Sequence, residues 1–271
     1  MFRRPCAHRA ANLASEIRTA NRLGEHEQAV TLYDTLCSIE PDDPSHRIGL
    51  ARAQATAGDF VAALAALDEA AKVEDLTVTL RGSLLSRRAE VALAAGRLDE
   101  AAAAEREALE LPMARGARRT HQLRLTAAED PTLAPIVLSY LAPFESGAAA
   151  KTGAVRRLFA AMQVAELPGY RPLGSYLMAR QLLNAQQPAP AVALLQRALA
   201  PEADDRPLPS PQFVRAAHIA LMSACVQSGA FSVARDALRT LQALPDSGNG
   251  DALVAADWQE RIEFFAAHRG G

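Results

Sequence analysis

Apolar and small residues recur along this chain at the three- and four-residue spacings of amphipathic helices, and a glycine interrupts the pattern at regular intervals. In the first block, Gly24 is followed by Ala29, Tyr33, Leu36 and Pro41, at offsets of five, nine, twelve and seventeen residues. The first three offsets recur after four further anchors. They give Ala63, Leu67 and Ala70 after Gly58; Ala101, Glu105 and Ala108 after Gly96; Ala234, Leu238 and Leu241 after Gly229; and Ala191, Leu195 and Ala198 after Gln186.

Each block predicts a helical hairpin. The first helix ends at the glycine, which adopts a left-handed conformation without the steric penalty of a Cβ atom. The second helix starts about three residues later and stops near a proline, which cannot continue it. The small residue five positions after the anchor allows the two helices to approach closely. One hairpin cannot bury both of its faces, so neighbouring hairpins are expected to stack.

The middle of the chain, residues 113–171, departs from this pattern. A helix is predicted over 118–129, with Asp130 as the N-cap of a following helix and Pro131 as its first residue. A further helix is predicted over roughly 149–166. The segment is either a degenerate hairpin, with Asp130 in place of the glycine, or a hinge.

The last part of the chain, 247–271, predicts a capping helix, because an array of hairpins needs a polar outer face at its end. Val254, Trp258, Ile262 and Phe265 fall on one stripe. The outward positions hold Asp257, Glu260 and Arg261.

The spacing from Gly24, and the stretch GDFVAALAALDEAAKVED from Gly58, resemble the tetratricopeptide repeat. The resemblance implies an all-α, right-handed superhelical solenoid of antiparallel helix pairs, with three hairpins in 1–112 and two in 172–246. Two departures are visible. The tryptophan usual early in the first helix is absent, and Arg88 stands where an apolar residue is expected.

Composition excludes several classes of protein. Hydrophobic residues make up 49% of the chain, charged residues 22%, and the net charge is −2, so nothing drives the whole chain towards nucleic acid. The most apolar run, 133–144, holds two prolines and is shorter than the roughly 20 residues that span a bilayer. No secretory signal is visible, and a cytoplasmic location is expected. Lysine is scarce and arginine abundant, a bias typical of a bacterial genome rich in G and C.

Reactive side chains form no recognisable catalytic or metal site. Cys6, Cys37 and Cys225 are far apart and contain no CxxC pair. Along a helix His26 and Cys37 would lie about 16 Å apart, too far for joint metal ligation. Cys225 and His218 are predicted to be core residues. We therefore expect no enzymatic activity, no cofactor and no metal.

The resemblance implies that the first helices of the hairpins line a concave groove, where the family binds extended peptides or partner helices. Arginines recur there in one phase, suited to bidentate contacts with carboxylates. The predicted groove residues are Arg18, Asn21, Arg22, Ile48, Arg52, Arg87, Glu90, Tyr176, Arg180 and Leu183. Family members that hold acidic chaperone tails carry a Lys/Asn/Asn/Lys/Arg set. This chain has Ala14, Arg18, Gly49, Ser83 and Arg87 at those places, which disfavours that ligand.

The predicted function is a non-catalytic scaffold that binds an extended or helical segment of another protein in its concave groove, with an acidic segment as one candidate. The alternative is an accessory or regulatory domain cut from a larger bacterial enzyme or membrane protein, such as a kinase or protease. A helical enzyme comes third. The basic middle could contact an acidic partner or RNA, but it lacks interleaved aromatics for base stacking, and nucleic acid is disfavoured. It holds Arg115, Arg118, Arg119, Arg124, Arg156 and Arg157.

Overall fold

The computed structural model describes residues 4–142, 148–245 and 251–269, and these form fourteen α-helices with no β-strand among them. The prediction of an all-α fold is confirmed. The helices are α1 (Arg4–Leu23), α2 (His26–Ile39), α3 (Pro44–Thr56), α4 (Phe60–Ala71), α5 (Val78–Ala94), α6 (Leu98–Glu110), α7 (Arg115–Ala128), α8 (Ala134–Leu141), α9 (Ala148–Glu166), α10 (Arg171–Asn184), α11 (Pro188–Leu199), α12 (Pro211–Ser228), α13 (Phe231–Ala243) and α14 (Asp251–Arg269).

The predicted turns lie at the predicted anchors. Gly24, Gly58, Gly96 and Gly229 all have positive φ, between 73° and 90°, and Gln186, which replaces the glycine in one block, has φ of 58°. All five turns share one backbone hydrogen bond. The N–H of the residue after the anchor donates to the carbonyl of the residue four positions before the anchor. These bonds run from Glu25 to Ala20, Asp59 to Gln54, Arg97 to Ala92, Gln187 to Leu182 and Ala230 to Cys225, with N···O distances of 2.8–2.9 Å. This is the Schellman ending of a helix.

Close packing of each hairpin follows from its small residue. Ala29, Ala63, Ala101, Ala191 and Ala234, each five residues after an anchor, are at most 1% exposed. A larger side chain at these buried positions would push the two helices of the pair apart.

The chain divides into two compact units, Met1–Leu138 and Ser139–Gly271. In the N-terminal unit each helix from α1 to α7 packs against the next, and α3 also contacts α5 while α5 contacts α7. In the C-terminal unit each helix from α9 to α14 packs against the next, with further contacts of α10 with α12 and of α12 with α14. The boundary between the units therefore falls inside 113–171, which was predicted as a single segment.

Two details of the middle and the end differ from the sequence prediction. Oδ1 of Asp130 accepts a hydrogen bond from the backbone N–H of Thr132 (2.9 Å), as a capping residue does, but a turn follows and α8 begins at Ala134 instead of Pro131. In α14, Ile262 is fully buried, whereas Phe265 is 37% exposed and lies partly outside the predicted apolar stripe.

No helix in the described part of the chain is both long enough and apolar enough to cross a membrane.

Candidate functional site

A cavity of about 620 Å³ opens in the N-terminal unit, along α3, α5 and the start of α7. Consecutive helices joined by short connections pack antiparallel, so these alternate helices run in the same direction. Their N-terminal halves therefore form one end of the cavity and their C-terminal halves the other. We call this cavity the groove, and it falls within the size range of ligand sites in proteins. Its lining residues are Tyr33, Ser45, Ile48, Gly49, Arg52, Val78, Thr79, Gly82, Ser83, Ser86, Arg87, Leu111, Pro112, Met113, Ala117 and His121.

The middle of the groove is shaped by a tyrosine that lies against a glycine. A Cβ atom built on Gly49 would overlap the ring of Tyr33 from α2, so α3 accepts that ring only because position 49 has no side chain. The phenol therefore lies beside the helix backbone and lines the groove.

The C-terminal end of the groove is basic. Arg87 of α5 pairs with Glu90 (Nη1 to Oε2, 2.7 Å), whereas Arg52 of α3 is exposed and has no ion-pair partner over the described residues. Burial lowers the pKa of Arg87 from its usual value, and the nearby positive charges of Arg52 and Arg124 lower it further. Glu90 opposes this lowering of the pKa, and a bound anion would add a second negative charge beside Arg52 and Arg87.

A buried charge cluster lies under this basic end. The carboxylate of Glu105, on α6, is fully buried and contacts both Nε of Arg124 (2.6 Å) and Nδ1 of His121 (2.5 Å). Nη2 of Arg124 donates to the hydroxyl of Ser86 (2.8 Å). The cluster therefore connects α5, α6 and α7, and it includes His121, which lines the groove.

One residue of this cluster, Glu105, stands out in the sequence, although the helical pattern alone did not predict the cluster. Glu105 stands nine residues after Gly96, at the core position that Tyr33, Leu67 and Leu195 hold in other blocks. A charged residue at a core position requires a buried partner, and His121 and Arg124 supply it.

The N-terminal end of the groove is apolar. Val78, the first residue of α5, is 52% exposed, and Ile48 of α3 is partly buried. The connection between α6 and α7 adds Leu111, Pro112 and Met113. Cδ1 of Leu111 would lie 3.8 Å from a Cβ atom on Gly82, an ordinary contact distance.

The structure brings together only part of the predicted groove set. Ile48, Arg52 and Arg87 line the groove, and Glu90 holds Arg87. Arg18, Asn21 and Arg22 are exposed on α1 and are not among the lining residues.

The predicted groove residues of the C-terminal unit are buried or partly buried. Tyr176 was expected to offer packing surface, but it is only 3% exposed, and its ring meets that of Phe213 edge-on at 5.5 Å. Its apolar ring is buried because α10 is packed between α9 and α11 and also touches α12. Arg180 and Leu183 are partly buried on the same helix.

Most arginines of the basic middle have structural partners. Arg118 donates to the carbonyl oxygens of Leu109 and Leu111 (2.9 and 3.4 Å) at the end of α6, and Arg124 belongs to the buried cluster. Arg156 and Arg157 both donate to the carbonyl of Ala142 (3.3 Å). Cations near a helix C-terminus stabilise its free carbonyls.

The reactive side chains of the sequence are placed as core or surface groups. Cys225 is fully buried, and burial raises the pKa of its thiol to about 11. His218 is 7% exposed, and burial lowers the pKa of its imidazole. Both predictions of a core position are confirmed. Burial also raises the pKa of the partly buried Cys37 thiol, while the side chain of Cys6 lies outside the described residues.

Among the described residues, one cluster has residue types that bind metals. Glu40, Asp43 and His46 place three possible ligand atoms within 4.8 Å of one another. His46 Nε2 lies 2.7 Å from a carboxylate oxygen of Glu40, and Oδ1 of Asp43 caps α3 by accepting from the N–H of Ser45 (2.9 Å). Ion pairing and helix capping account for this arrangement.

No protein-family model matches this chain, and no curated protein matches it. The case for a function therefore rests on the geometry of the groove.

Proposed function

We propose that this protein is a non-catalytic interaction scaffold of the tetratricopeptide-repeat type, whose N-terminal unit binds an acidic segment of a partner protein in the groove. The observation that carries the proposal is the convergence of Arg52 and Arg87 on one cavity, beside the buried Arg124.

The charge state of the groove supports an anionic ligand. Arg52 has no ion-pair partner within the described chain, and the one carboxylate paired with Arg87 is that of Glu90. A guanidinium group presents several N–H donors in one plane and holds a carboxylate with two parallel hydrogen bonds. An exposed ion pair contributes at most about 1 kcal/mol, so a tenfold effect of Arg52 requires that the bound segment exclude water from the pair.

The repeating hairpins support the family assignment. Five hairpin turns share the same left-handed backbone conformation and the same hydrogen bond. Alternate helices contact each other in both units, α3 with α5, α5 with α7, α10 with α12 and α12 with α14. A constant rotation from one hairpin to the next produces a curved array with a concave face.

Selection of peptides from a displayed random library on the purified protein tests the proposal. We expect the selected peptides to be rich in Asp and Glu, and their affinity to fall at least tenfold in Arg52→Glu. Arg18→Glu is the matched control, because it reverses an exposed arginine on α1 that does not line the groove. Both variants should keep the circular dichroism melting curve of the wild type.

Two results would contradict the proposal: recovery of no acidic peptide, or equal affinity of the selected acidic peptides for the wild type and Arg52→Glu.

A further inference from the structure

The two ends of the groove differ in chemistry, and the helix rise gives their separation along the helix axes. Val78 and Arg87 are nine residues apart on α5, and Ile48 and Arg52 are four residues apart on α3. At 1.5 Å per residue, these separations are about 13.5 Å and about 6 Å along the helix axes. An extended peptide advances about 3.4 Å per residue, so two to four of its residues bridge the two ends.

The groove between its two ends offers hydroxyl groups to a bound backbone. Tyr33, Thr79 and Ser83 line the groove, and each hydroxyl can donate to or accept from a peptide group. Ser86 also lines the groove, where its hydroxyl accepts from Arg124 and can donate to a ligand. An extended peptide has unpaired N–H and C=O groups that need such partners, whereas a helix satisfies its own. The lining therefore favours an extended ligand.

We propose that the ligand of the groove is an extended segment in which an acidic residue and a large apolar residue are separated by two to four positions. The inference rests on the function proposed above and specifies its ligand. The acidic side chain contacts Arg52 and Arg87, and the apolar side chain packs among Val78, Ile48 and Leu111.

A ligand that fits the groove needs an apolar side chain as well as a negative charge. Val78 is half exposed at the first position of α5, where nothing in helix formation requires an apolar residue. An apolar side chain that covers Val78 removes both surfaces from water, which stabilises the complex. A purely acidic ligand would leave this surface exposed.

Fluorescein-labelled synthetic peptides test the inference by anisotropy. Each peptide carries one Asp-Asp pair and one Leu in a Gly-Ser background, and the two are separated by one to eight positions. We expect affinity to peak at separations of two to four, with a fall of about tenfold at separations of seven or eight, where the Leu side chain overshoots the apolar end.

Two valine variants give a matched pair. Val78→Ser should weaken binding of the tightest peptide about tenfold and remove the dependence of affinity on the separation between the Asp-Asp pair and Leu. Val61→Ser should leave both unchanged, because Val61 is an exposed valine of α4 (80%) that does not line the groove.

The outcomes separate the two proposals. Acidic peptides that bind in an Arg52-dependent way but with no preference for separation, or with no response to Val78→Ser, overturn the ligand assignment and leave the proposed function standing. Absence of any Arg52-dependent binding by the acidic peptides, here and in the library selection, overturns both.

Discussion

The two units of this protein are built from the same hairpin but fill the space between alternate helices differently. In the N-terminal unit, α3, α5 and α7 leave an open groove with arginines at one end, above the buried carboxylate of Glu105. In the C-terminal unit, the corresponding helix α10 holds Tyr176 buried against Phe213 of α12. One repeat pattern therefore supports either an accessible polar face or a closed aromatic one.

The difference shows that hairpin spacing alone does not identify a binding surface. The residue types on alternate helices decide it: the N-terminal groove is lined by Gly82, Ser83 and Ser86 of α5, and Gly49 of α3 leaves room for the Tyr33 ring. In the C-terminal unit, the fully buried Ser175 and Phe213 are core residues.

The strongest test of this contrast removes the charge at the centre of the N-terminal unit. Glu105→Leu leaves Arg124 buried without its carboxylate partner, and breaking a buried pair in this way costs about 3–5 kcal/mol of unfolding free energy. Urea unfolding measures the change. Glu107→Leu on the same helix is the control, since its pair with Arg81 is exposed on both sides and exposed pairs contribute at most about 1 kcal/mol. Equal effects of the two substitutions would mean that the buried cluster does not hold the unit together.

The second test concerns the turns, which are all glycine at the three anchors of the N-terminal unit but not in the C-terminal unit. Gln186 adopts φ of 58°, a conformation that costs a residue with a Cβ atom about 1 kcal/mol relative to glycine. Gln186→Gly should raise the unfolding free energy by about that amount, and Gly229→Ala should lower it. A loss of stability in Gln186→Gly would show that the Gln186 side chain makes a stabilising contact.

The third test uses pH. Burial lowers the folded-state pKa of His218, and Nδ1 of this residue has no hydrogen-bond partner within the described chain. The unfolded chain therefore binds a proton at His218 more readily than the folded protein does. The stability contributed by neutral His218 is fully present above the unfolded pKa, near 6.5, and is lost as the pH falls through the lower pKa of the folded state. Unfolding free energies at pH 7.5 and 5.5 should therefore differ less in His218→Leu than in the wild type. Identical differences would place His218 in a solvated setting.

The smallest effect is expected at the loop before α12. Arg171 donates to Glu202 (2.5 Å) and to Asp205 (Nε to Oδ2, 3.1 Å), and these bonds tie the loop to the start of α10. Hydrogen bonding with Arg171 lowers the pKa of Asp205 in the folded protein. The contact is therefore fully present above pH 3.8, the ordinary pKa of an aspartate, and is lost as the pH falls through the lower pKa of the folded state. Arg171→Ala should make residues 201–210 more sensitive to limited proteolysis at pH 7 with little change in global stability. Arg197→Ala, an exposed position on α11, should not change the cleavage pattern.

The hairpin pattern predicted the fold well because each of its elements depends on local chemistry. Gly24, Gly58 and Gly96 end helices through their own conformational freedom, and Ala29 and Ala63 are buried because two helix backbones meet there. Such features repeat at fixed spacing and can be read without knowing which hairpins are neighbours.

The groove was predicted only in part because it depends on pairs of residues from separate helices. Arg52 and Glu90 could be placed on one face by their shared phase, six residues before their glycines, and Arg87 lies three residues before Glu90. The contribution of Leu111–Met113 depends on how the connection before α7 folds, and the burial of Arg124 depends on the carboxylate of Glu105 on another helix. Neither relation is visible in a helical period.

The most direct test of a groove that binds acidic segments through Arg52 is a charge swap between protein and ligand. An acidic peptide selected on the wild type is measured against the wild type and Arg52→Glu, together with a second version in which its critical acidic residue is replaced by arginine. The account predicts that Arg52→Glu binds the original peptide at least tenfold more weakly and recovers affinity for the arginine version. Equal binding of the original peptide by both proteins, or no preference of Arg52→Glu for the swapped peptide, would contradict it.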